Sequence, residues 1–317
     1  MFSRIFPLLV SILLVMVPQR AHATALPRYD HVVLVIEENH SYAQIVGSSA
    51  APFINKTLIP ISATAGNYHA ITHSSLPNYL GLIDGRNYRT SHNITNDCSP
   101  AASCQATGPT IADTLTTAGK PWRYYGESMP ANCTKTGSAP YAVRHNPFTY
   151  YAPGTVTSDQ CPTDDLPFTA FSSDLTASHL SSLVVVVPNT CHDMHDKCTS
   201  TNTVSVADSW LQSNVYTPLV ASKTWTNGSH VLFIVVWDEG TGGSAGENCL
   251  ATTDKSCQVA AILHANDGTT KSGVKLGAWG GIDNYSHLSL LATIEDVLGI
   301  ARTPSVASTP AMADAFH

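Results

Sequence analysis

Three short apolar segments of this chain each end in a group of polar side chains. Parallel strands bring their carboxyl ends to one edge of a sheet, which is where open α/β folds bind ligands. Each group alone is explained equally well by a solvated, capped turn, but three groups at one edge favour a metal or phosphate site. The groups are Glu37, Glu38, Asn39 and His40; His192, Asp193, His195 and Asp196; and Asp238 with Glu239.

A serine-rich turn that reads THSSLPNY supplies a candidate nucleophile. Pro77 fits the first turn of a helix, and the free N–H groups at a helix N-terminus attract anions. We therefore expect Ser75 to be the nucleophile and Asn78 to donate a hydrogen bond to a developing oxyanion. The alternative is that Ser74 or Ser75 only caps the helix.

Two further stretches contain candidate side chains. In YAVRHNPFTYY, Arg144 and His145 are suited to contact phosphate oxygens, and the aromatic residues to hold an organic leaving group, although an ordinary loop has the same composition. His287 begins the last predicted helix, where a lone histidine is more often a packing or capping residue. His287 is a candidate site residue only because the sequence contains the other polar groups described above.

A serine with several histidines and oxygen-rich acids is typical of metal-assisted phosphoryl transfer. The metal would lower the pKa of the Ser75 hydroxyl and bind a phosphate oxygen, a histidine would protonate the leaving oxygen, and water would hydrolyse the phosphoserine. Serine proteolysis fits less well, because an acyl-transfer triad has no use for so many acids.

The apolar segments also predict the fold. Residues 31–36, 183–187, 231–237 and 259–263 are continuously apolar, as in parallel strands covered on both faces. Helical patterns occupy residues 110–119, 206–220 and 286–299, the last with Ser286 as N-cap and Gly299 as its end. We expect an α/β fold, with a mainly parallel central sheet and helices on both faces.

The first 23 residues have the features of a secretory signal peptide. Arg4 precedes an apolar run, and a small-x-small cleavage site ends at Ala23. We expect a secreted or periplasmic protein without stable membrane insertion, in which residues 24–317 form a single domain. Residues 86–165, rich in Asn, Thr, Pro, Gly and Cys, should form a loop-rich insertion beside the substrate site, around the short strand WRYYGE.

Charge and cysteine content narrow the function further. The formal net charge is −7, and no basic block is present, which argues against a nucleic-acid partner. The eight cysteines in an exported chain suggest disulfides, and no CxxC spacing points to structural zinc. Many connectivities are open; the simplest joins Cys98–Cys104, Cys133–Cys161, Cys191–Cys198 and Cys249–Cys257.

These residues resemble the phosphoesterase family of secreted acid phosphatases and bacterial phospholipases C, within the alkaline phosphatase superfamily. The resemblance covers nearly the whole mature chain and is closest to the SapM-like secreted acid phosphatases. It rests on the order and spacing of HVVLVIEENHS, APFIN, THSSLPNY, RHNPF, PNTCHDMHD, WDE and SHLSLLATIEDVLG. It implies an α/β sandwich like that of alkaline phosphatase, with a metal at the strand ends.

The resemblance also implies residue roles. The family's metal ligands fall on Glu38, Asn39, Ser75, Asp238 and Glu239, an oxygen-rich set that suits one divalent ion. Calcium, magnesium or manganese is favoured, and zinc is the alternative. Glu37 is expected to be only a structural carboxylate.

The family's Asp-x-His-Asp motif falls on Asp193, His195 and Asp196, and its C-terminal histidine on His287. His192 stands where relatives often carry Asn, so the resemblance supports a role for His192 less than one for His195. Both histidines remain candidates for the general acid. The expected catalytic residues are thus Ser75, His195, His287 and His192, and the expected phosphate or substrate contacts are Asn78, Arg144, His145, Asp193 and Asp196.

The expected function is that of a secreted, metal-dependent acid phosphatase that hydrolyses phosphate monoesters through a phosphoserine. The substrate would be a small phosphorylated molecule or a lipid head group such as a phosphoinositide, and the protein a monomer. A phospholipase C-type phosphodiesterase is one alternative, disfavoured by the short chain. A non-catalytic, metal-stabilised exported binding protein is another.

Overall fold

The computed structural model describes residues 26–91, 94–198, 200–251, 253–266, 273–279 and 284–317. The predicted signal peptide, residues 1–23, lies outside the described residues. The strands are β1 His31–Glu37, β2 Ala63–Ala65, β3 Tyr68–His69, β4 Trp122–Gly126, β5 Asp165–Pro167, β6 Leu183–Val187, β7 Val231–Trp237, β8 Ala261–Ala265, β9 Gly277–Trp279 and β10 Tyr285–Ser286. The α-helices are α1 Tyr42–Ile45, α2 Ser75–Asp84, α3 Tyr88–Ser91, α4 Ile111–Thr117, α5 Val156–Asp164, α6 Thr169–Thr176, α7 Thr203–Trp210, α8 Thr217–Ala221, α9 Lys223–Thr226 and α10 His287–Leu298.

Eight of these strands form a mainly parallel central sheet, as predicted. Their order is β5–β4–β6–β1–β7–β8–β2–β9, and the first five run parallel. Strand β8 is antiparallel to both of its neighbours, which a run of apolar residues alone does not reveal. A separate parallel pair joins β10 to β3.

The three central strands are buried along almost their whole length. Strands β6 and β7 are entirely buried and β1 is buried after its first residue, because both faces of the sheet are covered. The register between β1 and β7 runs from His31–Val231 to Glu37–Trp237. The two strands therefore end level with each other, and the residues that follow them leave the sheet side by side.

The predicted helices form where the sequence placed them. Helix α10 ends at Gly299, which has a left-handed φ of 70°, while Ser286 takes the N-cap position without a side-chain capping bond. The stretch 206–220 lies in α7, a π-helical turn at Leu211–Tyr216, and α8. No helix in the described part of the chain is long and apolar enough to cross a bilayer.

The segment 86–165 is less loop-like than its composition predicted. It contains α3, α4 and α5, and its strand β4 pairs with β6 inside the central sheet. The four disulfides have the predicted connectivity: Cys98–Cys104, Cys133–Cys161, Cys191–Cys198 and Cys249–Cys257.

Candidate active site

The three polar groups predicted from the sequence converge at the carboxyl edge of β6, β1 and β7, which are neighbours in the sheet. Backbone bonds fix the two loops that flank the end of β1. The Glu38 N–H donates to the Asp193 carbonyl and the Asp238 N–H to the Glu37 carbonyl, at 2.8 and 2.9 Å. Asn39 adopts a left-handed φ of 51°, and its N–H donates to Oδ1 of Asp238 at 3.1 Å.

Ser75 is the first residue of α2, and its hydroxyl faces these acids. Its Oγ lies 3.1 Å from Oε2 of Glu38 and 3.4 Å from Oε1 of Glu239. Ser74, directly before the helix, has a strained φ of 96° and makes no side-chain cap bond. The simple capping alternative therefore does not explain this turn, because neither hydroxyl caps α2 and that of Ser75 points to the carboxylates.

The acids around Ser75 are crowded and largely buried. Burial, followed by the nearby Asp238 and Asp193, raises the pKa of Glu38, and burial with neighbouring Glu239 raises the pKa of Asp238. Among the described residues, Oε1 of Glu38 and Oδ2 of Asp238 have no hydrogen-bond partner, although both atoms are buried. Buried carboxylate oxygens that repel one another and lack donors fit a bound cation, so the expected ligand set is compatible with a hard divalent ion.

His145 lies behind Glu38 rather than beside the opening. Its Nε2 is 3.1 Å from Oε1 of Glu38 and its Nδ1 is 3.3 Å from Oδ2 of Asp193, although neither contact has hydrogen-bond geometry. The ring is 1% exposed and stacks on Tyr79 at a centroid distance of 5.2 Å. The geometry therefore does not favour the expected phosphate contacts of His145 and Asp193, since both side chains are enclosed. His145 faces Glu38, and Asp193 faces His145 and the His195 N–H instead.

His195 borders the cavity that contains Ser75, which has a volume of about 490 Å³. Its Nδ1 lies 2.7 Å from Oδ1 of Asp196, and Nη2 of Arg144 lies 3.4 Å from its Nε2. Because guanidinium is only a donor, this contact corresponds to a neutral ring that donates from Nδ1 to Asp196 and accepts at Nε2. Of the two histidines considered for the general acid, His195 alone reaches this cavity.

His192 points away from Ser75. Its Nδ1 is 2.9 Å from Oε1 of Glu127, and its ring stacks on Trp210 at 5.8 Å. The same Glu127 carboxylate accepts from the indole of Trp210 and from the Asn189 N–H. These contacts hold the loop after β6 in place, so the geometry gives His192 a structural role in place of the expected catalytic one.

His287 is fully buried under Asp238, and both ring nitrogens are occupied. Nε2 donates to the Asp238 carbonyl at 2.6 Å, so Nδ1 accepts from the Tyr68 hydroxyl at 2.9 Å. Burial lowers the pKa of His287 to about 4. The ring positions the loop after β7 and has no free nitrogen for substrate, contrary to its expected place among the catalytic residues.

Asn78 likewise has no donor left for an oxyanion. Its amide donates to the carbonyls of Thr72 and Ser74, at 2.9 and 3.0 Å, and accepts from the N–H groups of Ile71 and Thr72. The amide thus holds the turn that presents Ser75. Both N–H donors of the side chain are used in the bonds to Thr72 and Ser74, so the geometry does not favour the expected oxyanion contact.

Two residues that border the site were missed by sequence reasoning. His73 places Nδ1 2.7 Å from Oε2 of Glu239, and Asp97 accepts from the Leu76 N–H at 2.9 Å while lying 3.4 Å from Nε of Arg144. His73 could have been predicted as a site residue, because it lies two residues before Ser75 in the sequence. The contacts of Asp97 join parts of the chain that only the fold brings together.

The run Gly242–Gly243–Ser244–Ala245–Gly246 has the G-x-S-x-G spacing of serine hydrolases. Ser244 lies on an exposed loop that begins after Asp238 and Glu239, with no helix directly behind it. A nucleophile elbow requires a tight strand-to-helix turn, so this match does not create one.

Comparison with known proteins identifies the family. Residues 50–301 match the Phosphoesterase family. The chain is 30% identical over 296 residues to a phosphatidylinositol-3-phosphatase from Mycobacterium tuberculosis, covering 92% of this chain and 84% of that protein. It is also 30% identical over 237 residues to a phosphate-repressible acid phosphatase from Penicillium chrysogenum, covering 67% of this chain but only 53% of the fungal protein.

Solved structures show the same fold at low sequence identity. An alkaline phosphatase superfamily protein from Vibrio parahaemolyticus has a TM-score of 0.57 at 14% identity, with 90% of this chain and 70% of that chain covered. The periplasmic domain of the phosphoethanolamine transferase EptC from Campylobacter jejuni has a TM-score of 0.53 at 12% identity, with 91% and 97% covered. The chain therefore belongs to the Phosphoesterase family, a class of phosphoric ester hydrolases, and has the alkaline phosphatase superfamily fold.

Proposed function

We propose that this protein is an exported, divalent-metal-dependent acid phosphatase that hydrolyses phosphate monoesters through a phosphoserine at Ser75. The substrate would be a small phosphorylated molecule or a lipid head group. The names of the mycobacterial and fungal relatives support phosphatase chemistry. Four disulfides, together with the signal peptide predicted from the sequence, support export.

The observation that carries the proposal is the position of the Ser75 hydroxyl, at the start of α2 and within 3.4 Å of both Glu38 and Glu239. Carboxylates alone would repel a phosphate dianion. Glu38, Asn39, Ser75, Asp238 and Glu239 would hold a divalent ion, which supplies Lewis-acid activation of the hydroxyl and charge compensation for the phosphate.

The first step is attack of the Ser75 oxygen on phosphorus. The hydroxyl proton passes to the neighbouring carboxylate of Glu38 or Glu239, the new O–P bond forms, and the bond to the leaving oxygen breaks. A second step, attack of water on the phosphoserine, releases phosphate and regenerates the hydroxyl.

His195 is placed to protonate the leaving oxygen. Asp196 fixes the Nδ1 proton, which leaves Nε2 as the atom that exchanges protons with substrate. Arg144 now contacts that nitrogen, and a bound phosphate would attract the guanidinium by charge-assisted hydrogen bonds. Movement of Arg144 onto the phosphate would free Nε2 to carry the proton.

The test uses two chromogenic substrates with the mature protein. We expect hydrolysis of p-nitrophenyl phosphate, loss of that activity in EDTA and in Ser75→Ala, and little hydrolysis of p-nitrophenylphosphorylcholine. Turnover confined to the diester would support the phospholipase C-type alternative, and turnover of neither would support a binding protein. Full activity in Ser75→Ala would refute the proposed nucleophile.

A further inference from the structure

A second cavity, of about 560 Å³, opens beside the one that contains Ser75. Its walls come from residues 97–99, residues 136–144, and Thr190 with Asp196. Disulfides restrain each of these stretches: Cys98–Cys104 holds the first, Cys133–Cys161 encloses the second, and Cys191–Cys198 adjoins the third. The cavity is therefore built from cross-linked loops and is shaped before any ligand arrives.

The two cavities meet at four charged or polar side chains. Asp97 borders both cavities, and Arg144 extends from the second cavity to contact Asp97 and His195. Asp196 lines the second cavity while bonding His195, which lines the first. A group leaving a phosphate at Ser75 past His195 would enter the second cavity directly.

We propose that this second cavity is the leaving-group subsite, and that it selects hydroxyl-bearing leaving groups against those with a second phosphate monoester. The inference rests on the proposed function, because it assumes that a phosphate ester reacts at Ser75. The proposed preference among leaving groups follows neither from membership of the family nor from the geometry around Ser75.

The charges and hydrogen-bonding groups of the lining carry this selection. The charged lining residues are the carboxylates Asp97 and Asp196 and one cation, Arg144, whose guanidinium lies against Asp97 and His195. Among the described lining residues, a second phosphate would find no uncommitted cation and would be repelled by the carboxylates.

Hydroxyl groups of a leaving group are better matched. The remaining polar lining is made of hydroxyl side chains and backbone, and includes Ser99, Thr136, Ser138 and Thr190. These groups both donate and accept hydrogen bonds, as the hydroxyls of a polyol do. Tyr141 adds an aromatic surface to the same wall.

The experiment compares glucose 6-phosphate with glucose 1,6-bisphosphate and adds a cation to the cavity wall. Ser138→Lys places an ammonium in the lining, at an exposed position whose backbone, not its side chain, pairs with Tyr141. Ser213→Lys makes the same charge change at an exposed position outside this lining. Ser99→Lys repeats the addition on another stretch of the lining, in case Ser138→Lys fails to fold.

For the wild type we expect kcat/KM to be about tenfold or more higher for the monophosphate. Ser138→Lys or Ser99→Lys should raise the ratio of kcat/KM for the bisphosphate to kcat/KM for the monophosphate about tenfold, because the added ammonium attracts only the second phosphate. Ser213→Lys should leave the ratio unchanged. Equal rates on both sugars, or the same shift with Ser213→Lys, would overturn the inference.

A third substrate separates this inference from the proposed function. If p-nitrophenyl phosphate is hydrolysed but neither sugar phosphate is, the subsite assignment fails while the phosphatase assignment stands. If p-nitrophenyl phosphate is not hydrolysed either, the proposed function fails and the subsite fails with it.

Discussion

Oγ of Ser75 lies 3.1 Å from Oε2 of Glu38, although Ser75 begins α2 and Glu38 directly follows β1. The other oxygen of the same carboxylate faces His145 at 3.1 Å. Glu38 therefore connects the nucleophile candidate to the buried side chains behind it, and a change at Glu38 should affect metal binding and catalysis together.

Glu38→Gln and Glu37→Gln form a matched pair on adjacent residues. We expect Glu38→Gln to lower metal affinity and kcat/KM by about 100-fold or more, since it removes one ligand charge. Glu37 is fully buried with neither oxygen bonded among the described residues, and burial raises the pKa of its carboxyl. An amide of the same shape should therefore replace it with less than about threefold loss. Isothermal titration with Mn²⁺ measures the metal affinity, and steady-state kinetics measures kcat/KM. Equal losses in the two variants would contradict the assignment of Glu38 as a ligand and Glu37 as a structural residue.

His73→Ala tests the support of Glu239. The ring lies 2.7 Å from Oε2 of Glu239, and partners of metal ligands typically contribute about 10–100-fold to metal affinity. We expect a loss of that size in Mn²⁺ affinity, with a small change in melting temperature. Ser256→Ala removes the contact at Nε2 of His73, 3.3 Å away, and the side-chain bond of Ser256 to Asp254, but leaves the Nδ1 contact with Glu239 in place. It should therefore change the affinity much less.

Gly243→Ala and Gly246→Ala separate backbone strain from contact with His73. Both glycines have a left-handed φ, 82° and 80°, so alanine is strained at either position by about 1 kcal/mol. A Cβ at Gly243 would come within 2.2 Å of the His73 ring, whereas one at Gly246 meets nothing within 4 Å. We expect both variants to lose similar stability but only Gly243→Ala to lose activity, by about tenfold or more; equal activities would refute the packing argument.

Part of the fold and of the candidate site could be predicted from the sequence. Long apolar runs predicted β1, β6 and β7, because a strand that is buried on both faces has apolar residues along its whole length. These strands in turn predicted the edge of the sheet where the acids meet. The strands β2, β3, β5, β9 and β10 have only two or three residues and leave no periodicity to detect. Side-chain direction was also not predictable: the motifs included His192, His287 and Asn78, but the fold turns each toward a structural partner.

Glu295 should make the protein less stable at alkaline pH. It is buried in α10, and burial raises its pKa from 4.5 to about 7, against the lowering effect of bonds from Thr303. Between these values the folded state binds more protons than the unfolded state, so the free energy of unfolding falls as pH rises from about 4.5 to 7. Below 4.5 the contribution is constant.

Glu295→Gln isolates this effect. The amide oxygen can replace Oε1, which accepts from Thr303. The NH₂ group then takes the position of Oε2, which has no hydrogen-bond partner among the described residues. We expect the variant to gain up to about 3 kcal/mol relative to wild type on going from pH 4.5 to pH 8, measured by urea unfolding. A constant difference between the two proteins over that range would show that Glu295 does not titrate as described.

The central claim is that Ser75 itself carries the phosphoryl group. Acid quenching of the metal-loaded enzyme during turnover of p-nitrophenyl phosphate, followed by peptide mass spectrometry, tests it directly. The account predicts the mass of one phosphoryl group on the peptide that contains Ser75, localised to that residue and absent from Ser75→Ala. Turnover with no phosphorylated peptide at any quench time, or a phosphoryl group on another residue that persists in Ser75→Ala, would contradict it.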